Sequence, residues 1–321
     1  MSDRPVLLLT RRLPEAVEKR ASRDYNALLN ADDSQYDACA LISKSRQADA
    51  ILTCSTEKFS ADVIEQLDPR VCAIASFSVG YEHIDVTAAS ARGITVTNTP
   101  DVLTDATADV TLLCLLGAAR RQHESTAMLR EDRWGRWDAT SLLGVHMSGK
   151  RLGILGMGRI GRAVAKRARA FNMEIHYSNR SRLSEELEDG ATFHKNPEDM
   201  LQRAQLLSFH CPSTPQTRHF LNAKRIALLP DGAVVVNTAR GDVVEDDALI
   251  EAVKSGKVSG VGLDVYEGEP DFHSGYLDLP NAFLLPHIGS ATKDTRDAMG
   301  FRALDNLDAV FAGEDPEDKL K

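Results

Sequence analysis

The stretch Arg151-Leu152-Gly153-Ile154-Leu155-Gly156-Met157-Gly158-Arg159-Ile160-Gly161 constrains the fold of this chain more than any other. A short apolar run (Leu152, Ile154, Leu155) breaks into Gly156-x-Gly158-x-x-Gly161. An amphipathic pattern follows, with Ile160, Val164, Ala168 and Phe171 on one face. A strand, a glycine turn and a helix in that order are the setting a phosphate cradle needs. Gly156 permits the turn, Gly158 lets a pyrophosphate approach bare backbone, and Gly161 lets the helix pack against the strand. The residues opening the helix, Arg159 and Ile160 with Gly161, bring N–H groups and the positive end of the helix dipole to the phosphates.

An acidic residue about 20 positions beyond the glycines would hold the adenosine ribose of NAD. Here the second strand runs Glu174-Ile175-His176-Tyr177-Ser178 and delivers Asn179, Arg180 and, close behind, Arg182. A carboxylate would repel a 2′-phosphate, whereas an arginine fork can clamp one. NADP(H) is therefore the expected coenzyme. The alternative is that Arg180 and Arg182 only solvate a loop and NAD(H) is used.

Composition removes other classes. The net charge of −9 gives no basic footprint for nucleic acid. No apolar stretch approaches the length of a membrane span, and the start, Met-Ser-Asp-Arg-Pro, has no signal-peptide core. The five cysteines are scattered and form no C-x-x-C pair, which fits free thiols in a reducing compartment. A cytoplasmic protein is expected.

Residues 1–100 alternate short apolar runs (Val6–Thr10, Ala50–Thr53, Val71–Ser76, Ile94–Asn98) with helix-compatible segments, the pattern of a parallel α/β unit. Residues 104–121 read as one long, largely buried helix. A second series places strands at 151–155, Glu174–Tyr177, Leu206–Phe209, Ala233–Asn237, Val261–Val265 and Phe283–Leu285, with a helix at Asp246–Lys254 closed by Gly256. Six strands with crossovers complete a dinucleotide fold. A last amphipathic helix is expected over 291–312 with Ser290 as its N-cap, followed by a frayed acidic tail. The expected architecture is α/β, with two doubly wound parallel sheets, Rossmann-like and flavodoxin-like. A dinucleotide domain (101–287) is inserted into a substrate domain (1–100 and 288–321), leaving an active-site cleft between the domains.

Open parallel sheets bind ligands beyond the carboxyl ends of their strands. Arg240 follows Ala233–Asn237, Asp264 ends Val261–Val265, His287 follows Phe283–Leu285, and Glu269 lies in the loop after Asp264. An arginine, a carboxylate and a histidine beside a nicotinamide suit reduction of a 2-keto acid. Arg240 would grip the substrate carboxylate, His287 would protonate the carbonyl oxygen, and Glu269 would hold His287 in its tautomer and favour its charged form. Taken singly, each has a plain structural alternative: a surface ion pair for Arg240, a turn for Glu269 before Pro270, a carbonyl partner for His287.

With these residues in place the chain resembles the D-isomer-specific 2-hydroxyacid dehydrogenases, and within them the glyoxylate/hydroxypyruvate reductases, over nearly its whole length. Ser78-Val79-Gly80-Tyr81 resembles the family's substrate-carboxylate loop, which implies that Val79 and Gly80 offer backbone N–H groups to substrate. Asn98-Thr99-Pro100 and Thr104-Asp105-Ala106-Thr107 resemble the inter-domain hinge, with Thr107 toward the cofactor. Asn237-Thr238-Ala239-Arg240-Gly241 matches the segment of the catalytic arginine. Gly262-Leu263-Asp264-Val265-Tyr266-Glu267-Gly268-Glu269-Pro270 matches that of the paired acid, with Glu269 rather than Glu267 at the catalytic position. Pro286-His287-Ile288-Gly289 matches the general-acid segment. The likeness further implies cofactor contacts at Cys211, Pro212, Thr238, Ala239, Asp264 and Gly289. Trp134-Gly135-Arg136-Trp137 resembles the dimer-arm loop, implying a homodimer through the nucleotide-binding domain with Trp137 at the partner's substrate. The proline usual shortly after that loop is replaced by Asp138-Ala139-Thr140.

The activity so implied is NADPH-dependent reduction of glyoxylate to glycolate or of hydroxypyruvate to D-glycerate. Alternatives are a 2-hydroxyacid dehydrogenase for larger keto acids and, from a different class, a dinucleotide-sensing scaffold of the corepressor kind.

Overall fold

The computed structural model describes residues 4–321. Two compact units emerge: one holds the chain up to Leu103 together with Ser290–Lys321, the other Thr104–Gly289.

In the first unit, β1 (Val6–Leu9), β2 (Asn26–Leu28), β3 (Ala50–Thr53), β4 (Ala73–Ser76) and β5 (Thr95–Thr97) form a parallel sheet in the order β2-β1-β3-β4-β5. This is the doubly wound order of flavodoxin-like sheets. Both faces are covered, so its strands are continuous apolar runs and not alternating ones. Leu7 and Leu9 pack with Val17, Ala21, Leu304 and Leu307, while Leu8 on the opposite face meets Leu41, Val63 and Ile64.

The second unit contains β6 (Arg151–Leu155), β7 (Glu174–Ser178), β8 (Thr192–Phe193), β9 (Leu206–Phe209), β10 (Ala233–Asn237), β11 (Val258–Leu263) and β12 (Ala282–Leu284). The sheet is parallel throughout, in the order β12-β11-β10-β9-β6-β7-β8. Its direction of winding reverses between β6 and β9, the switch point where such sheets take a dinucleotide. β10 shows how the sheet is held: Val234 and Val236 face the helices Thr104–Ala119 and Arg159–Arg169, and Ala233 and Val235 face the helix Asp246–Lys254. The helix Thr104–Ala119 lies so close that a Cβ added at Gly262 would stand 2.6 Å from the Cys114 carbonyl oxygen.

Several expectations are corrected. The glycine sheet has seven strands, not six, because the two-residue edge strand β8 escaped the apolar-run criterion, as did β2. The helix expected over 104–121 stops at Ala119, where Arg121 turns left-handed (φ 49°) and a second helix, Gln122–Arg130, begins. The last helix is Lys293–Ala312, capped by Thr292, whose side chain accepts from the Thr295 N–H; Ser290 is not its cap. Phe171 lies beyond the end of the helix Arg159–Arg169. The tail is not frayed: Leu320 donates its N–H to the Val96 carbonyl at 2.8 Å, Thr97 bridges Lys319, and Arg302 reaches both carboxylate oxygens of buried Asp318.

Candidate active site

The turn after β6 meets the steric demands of a phosphate cradle. Gly156 adopts φ 97°, and a Cβ there would stand 2.6 Å from the Cys211 backbone nitrogen. The backbone of His210 and Cys211, just past β9, thus closes one side of the turn. At Gly161 a Cβ would run into the Gly156 carbonyl, whereas at Gly158 nothing lies within 4 Å. Among the described residues no packing demands the bareness of Gly158, which leaves room for a ligand over the turn. Among the described residues no side-chain hydrogen bond caps the helix Arg159–Arg169, the setting in which a helix N-terminus takes an anion. The residues present fit a pyrophosphate-bearing dinucleotide. Asn179, where an acid would select NAD, accepts the Met157 N–H at 2.7 Å and so braces the turn itself.

Beyond β7 the two arginines part company. Arg180 is exposed and makes no hydrogen bond or ion pair among the described residues. Arg182 grips Glu188 with both teeth of its fork, Nε to Oε1 and Nη2 to Oε2, each 2.8 Å.

At the other end of the sheet, β10, β11 and β12 bring the remaining site residues together. Asn237 folds its strand end: its amide donates to the Arg240 carbonyl at 2.8 Å and its oxygen accepts from the Ala239 N–H at 3.0 Å. Arg240 leaves this turn with Nη1 donating to the Ala239 carbonyl at 2.7 Å. Thr238 shares a 2.8 Å hydroxyl contact with Thr111, and Thr107 donates to the Gly289 carbonyl at 3.3 Å, so the Thr104–Ala119 helix is stitched to this corner.

His287 sits at φ 53°, an uncommon conformation for a residue with a Cβ and one that clusters at functional sites. What holds it is Asp264. Its buried carboxylate accepts the Ile288 N–H at 2.7 Å, and burial raises its pKa while that bond opposes the rise. This mounting role was not legible in the motif, which offered Asp264 only as a cofactor contact.

His287 Nδ1 lies 2.6 Å from Glu269 Oε2. A carboxylate cannot donate, so Nδ1 carries the proton and Nε2 is left for chemistry. Glu269 is itself aimed by the Tyr266 N–H, which donates to Oε1 at 2.7 Å, while the Tyr266 hydroxyl donates to the Leu263 and Leu285 carbonyls at 3.1 and 3.0 Å. Glu267, two residues earlier, faces elsewhere, meeting Arg218 at 2.5 Å and His219 at 2.8 Å. The Glu269 hydrogen bond raises the His287 pKa above its ordinary value; desolvation and the Arg240 charge pull the other way but lose. The side chain remains about half exposed, at 52 %.

In the other unit, the Ser78–Gly80 loop turns its carbonyls inward. Asn98 donates its amide to the Val79 carbonyl at 2.7 Å, and Ser78 Oγ donates to the Gly80 carbonyl at 2.6 Å. The N–H groups of Val79 and Gly80 have no acceptor among the described residues. Trp137 is 78 % exposed and Trp134 59 %, in a stretch without helix or strand.

Comparison with known proteins bears on this geometry. Residues 112–289 match the NAD binding domain of the D-isomer specific 2-hydroxyacid dehydrogenases. The glycerate dehydrogenase of Hyphomicrobium methylovorum is 42 % identical over 311 residues, covering 96 % of this chain and 97 % of that one. The glyoxylate reductase of Thermococcus litoralis is 40 % identical over 317 residues, 98 % of this chain and 96 % of the other. The structure of an NADPH-dependent glyoxylate/hydroxypyruvate reductase from Sinorhizobium meliloti, in complex with NADP and malonate, superposes with a TM-score of 0.89 at 33 % identity, covering 99 % of this chain and 97 % of that one. A nicotinamide dinucleotide is therefore the coenzyme class that the glycine turn accepts, and the chain belongs to the D-isomer specific 2-hydroxyacid dehydrogenases, NAD(P)-dependent oxidoreductases acting on CH–OH groups.

Proposed function

We propose that this enzyme reduces a small 2-keto acid with NADPH, glyoxylate to glycolate or hydroxypyruvate to D-glycerate. The observation that carries this reading is the 2.6 Å contact that fixes His287 Nδ1 on Glu269 and leaves Nε2 to serve a substrate oxygen. The reduced nicotinamide, when bound, supplies the hydride to the carbonyl carbon. His287 gives its Nε2 proton to the carbonyl oxygen, and Glu269 stabilises the imidazolium that makes this transfer available near neutral pH. Arg240 pairs with the substrate carboxylate and polarises the adjacent carbonyl; its planar fork suits a carboxylate better than a point charge would. Val79 and Gly80 are assigned a substrate-binding role, supported by N–H groups that have no acceptor among the described residues.

Residues up to 100 with 288–321 are assigned the substrate role and 101–287 the dinucleotide role. Arg180 is assigned the 2′-phosphate, supported by its exposure and lack of a partner among the described residues. A cytoplasmic homodimer is the assembly proposed. Its support is the exposure of four large apolar side chains close in sequence, Leu129, Trp134, Trp137 and Leu143, since exposed apolar surface marks association when it gathers into a patch. No helix among the described residues is long and apolar enough to cross a membrane.

Steady-state kinetics on glyoxylate, hydroxypyruvate and pyruvate, each with NADPH and with NADH, test the reading. The expected result is the highest kcat/KM for glyoxylate or hydroxypyruvate with NADPH. Preference for a bulkier keto acid or for NADH would contradict it, and coenzyme binding without turnover on any acid would favour a sensing scaffold.

A further inference from the structure

The loop leaving β7 is anchored on both sides of Arg180. Before it, Asn179 is tied to the glycine turn through Met157. After it, Tyr177, fully buried in the strand, accepts the Leu183 N–H at 3.0 Å and donates its hydroxyl to Glu188 Oε1 at 2.5 Å. Glu188 is only 4 % exposed and also receives the two-toothed grip of Arg182, whose Nε shares Oε1 with the Tyr177 hydroxyl. Arg169, from the helix of the glycine turn, closes the far end by donating to the Glu188 carbonyl and pairing with Asp189, both at 3.0 Å. The bonds from Arg182 and Tyr177 hold the Glu188 carboxyl down to about 2, so it is ionised at any working pH. Three of the four residues of the helix Glu185–Glu188 are acidic, and that much negative charge beside a phosphate site would repel the ligand unless the inward acid were matched.

We propose that Glu188 is a positioning residue for coenzyme discrimination: by gripping Arg182 and Tyr177 it fixes the loop that presents Arg180, and Arg182 is a strut of that loop and not a phosphate ligand. The inference rests on the assignment of Arg180 to the 2′-phosphate made above. Its physical basis is preorganisation. A guanidinium on a loop already held in place loses less conformational freedom when an anion arrives, whereas a guanidinium spent on a bidentate carboxylate has its best donors occupied.

Two roles for Arg182 predict opposite signs for one substitution. Were Arg182 a direct phosphate ligand, removing the Glu188 charge would release it and tighten binding of the phosphorylated coenzyme. As a strut, Arg182 loses its anchor, and binding weakens. Calorimetric titration of the full chain with 2′,5′-ADP and with 5′-ADP reads this without turnover, alongside kcat and KM for NADPH and NADH. For Glu188→Gln the expected result is a loss of about 3–10-fold in affinity for 2′,5′-ADP and a matching rise in KM for NADPH. The affinity for 5′-ADP and kcat should stay within about twofold. Tyr177→Phe, which keeps the ring and removes only the bridging hydroxyl, should move the same quantities in the same direction by about 2–4-fold, and it serves if the Gln variant does not fold. Arg180→Ala tests the parent assignment, with an expected loss of about tenfold or more confined to 2′,5′-ADP. Unchanged or tighter 2′,5′-ADP binding in Glu188→Gln, with Arg180→Ala behaving as expected, overturns the strut alone. No selective loss in Arg180→Ala overturns the phosphate assignment and the strut with it.

Discussion

At the carboxyl ends of β1 and β3, Thr10, Thr53 and Glu57 hydrogen-bond one another at 3.0–3.3 Å, and Arg11 closes a fork on Asp33. Beyond β10, β11 and β12, a comparable set of polar residues ends differently. Both are parallel sheets covered on both faces, and both gather charge where such sheets bind ligands. In the first cluster the Glu57 carboxylate is fully buried and spends its oxygens on neighbouring hydroxyls. In the second, Asp264 holds the backbone just after His287 and Glu269 holds its imidazole, which stays half exposed on a left-handed residue with a nitrogen unclaimed by either acid. A strand end becomes a reaction site when its hydrogen bonds orient a group without consuming it. The fold supplies the location, and the residual valence supplies the chemistry.

Substitutions on the two sides should therefore fail in different ways. The largest effect is expected from His287→Ala, which removes the proposed proton donor while leaving the glycine turn intact. kcat should fall by about 10²–10⁴-fold with coenzyme affinity within about twofold, and a kcat near that of the parent would dissolve the distinction. Glu269→Gln comes next. Because Glu269 raises the His287 pKa, its neutralisation lowers it, so less imidazolium remains as pH rises. The basic limb of the reduction profile should move to lower pH, with a loss of about 10–100-fold at pH 8; an unmoved limb would break the link between the pair.

Glu57→Gln, on the self-satisfied side, should cost about 1–3 kcal/mol in urea unfolding and leave kcat within about twofold, since it unbalances a buried network that touches no reacting atom. A large loss of turnover at unchanged stability would show that cluster to be functional. The smallest effect is expected from Thr292→Ala, which removes the cap of the last helix: about 1 kcal/mol in the same unfolding assay and no change in KM.

Legibility divides along the same physical lines. The strands 151–155, 206–209 and 233–237 could be read to the residue because central parallel strands are buried on both faces and declare themselves as apolar runs. β2 and β8 could not, since each is a short edge strand whose first residue is exposed and polar, Asn26 and Thr192. Within three residues of Arg121 there is no Gly or Pro of the kind that usually announces a helix break. Both Ser290 and Thr292 are sound caps in isolation, and only the geometry of the turn chooses between them.

At the candidate site, the placement of Arg240, Glu269 and His287 in the loops after β10, β11 and β12 was legible because each lies in a motif that leaves a strand end. The supports were not. Asp264 as the mount of the His287 turn, Tyr266 as the aim of Glu269, and Glu188 as the partner of Arg182 act through contacts that no spacing rule encodes. The acidic tail was misjudged for a related reason: its composition indicates solvent, but Asp318 finds Arg302 and Asn306 and is buried by them.

The proposed chemistry turns on the charge state of one ring. A titration of the His287 imidazole by NMR, in the parent enzyme and in Glu269→Gln, measures it directly. The prediction is a midpoint above the ordinary histidine value of about 6.5 in the parent, falling when the carboxylate is neutralised. Coincident midpoints, or a parent value below that of free histidine, would contradict a proton donor held ready by Glu269.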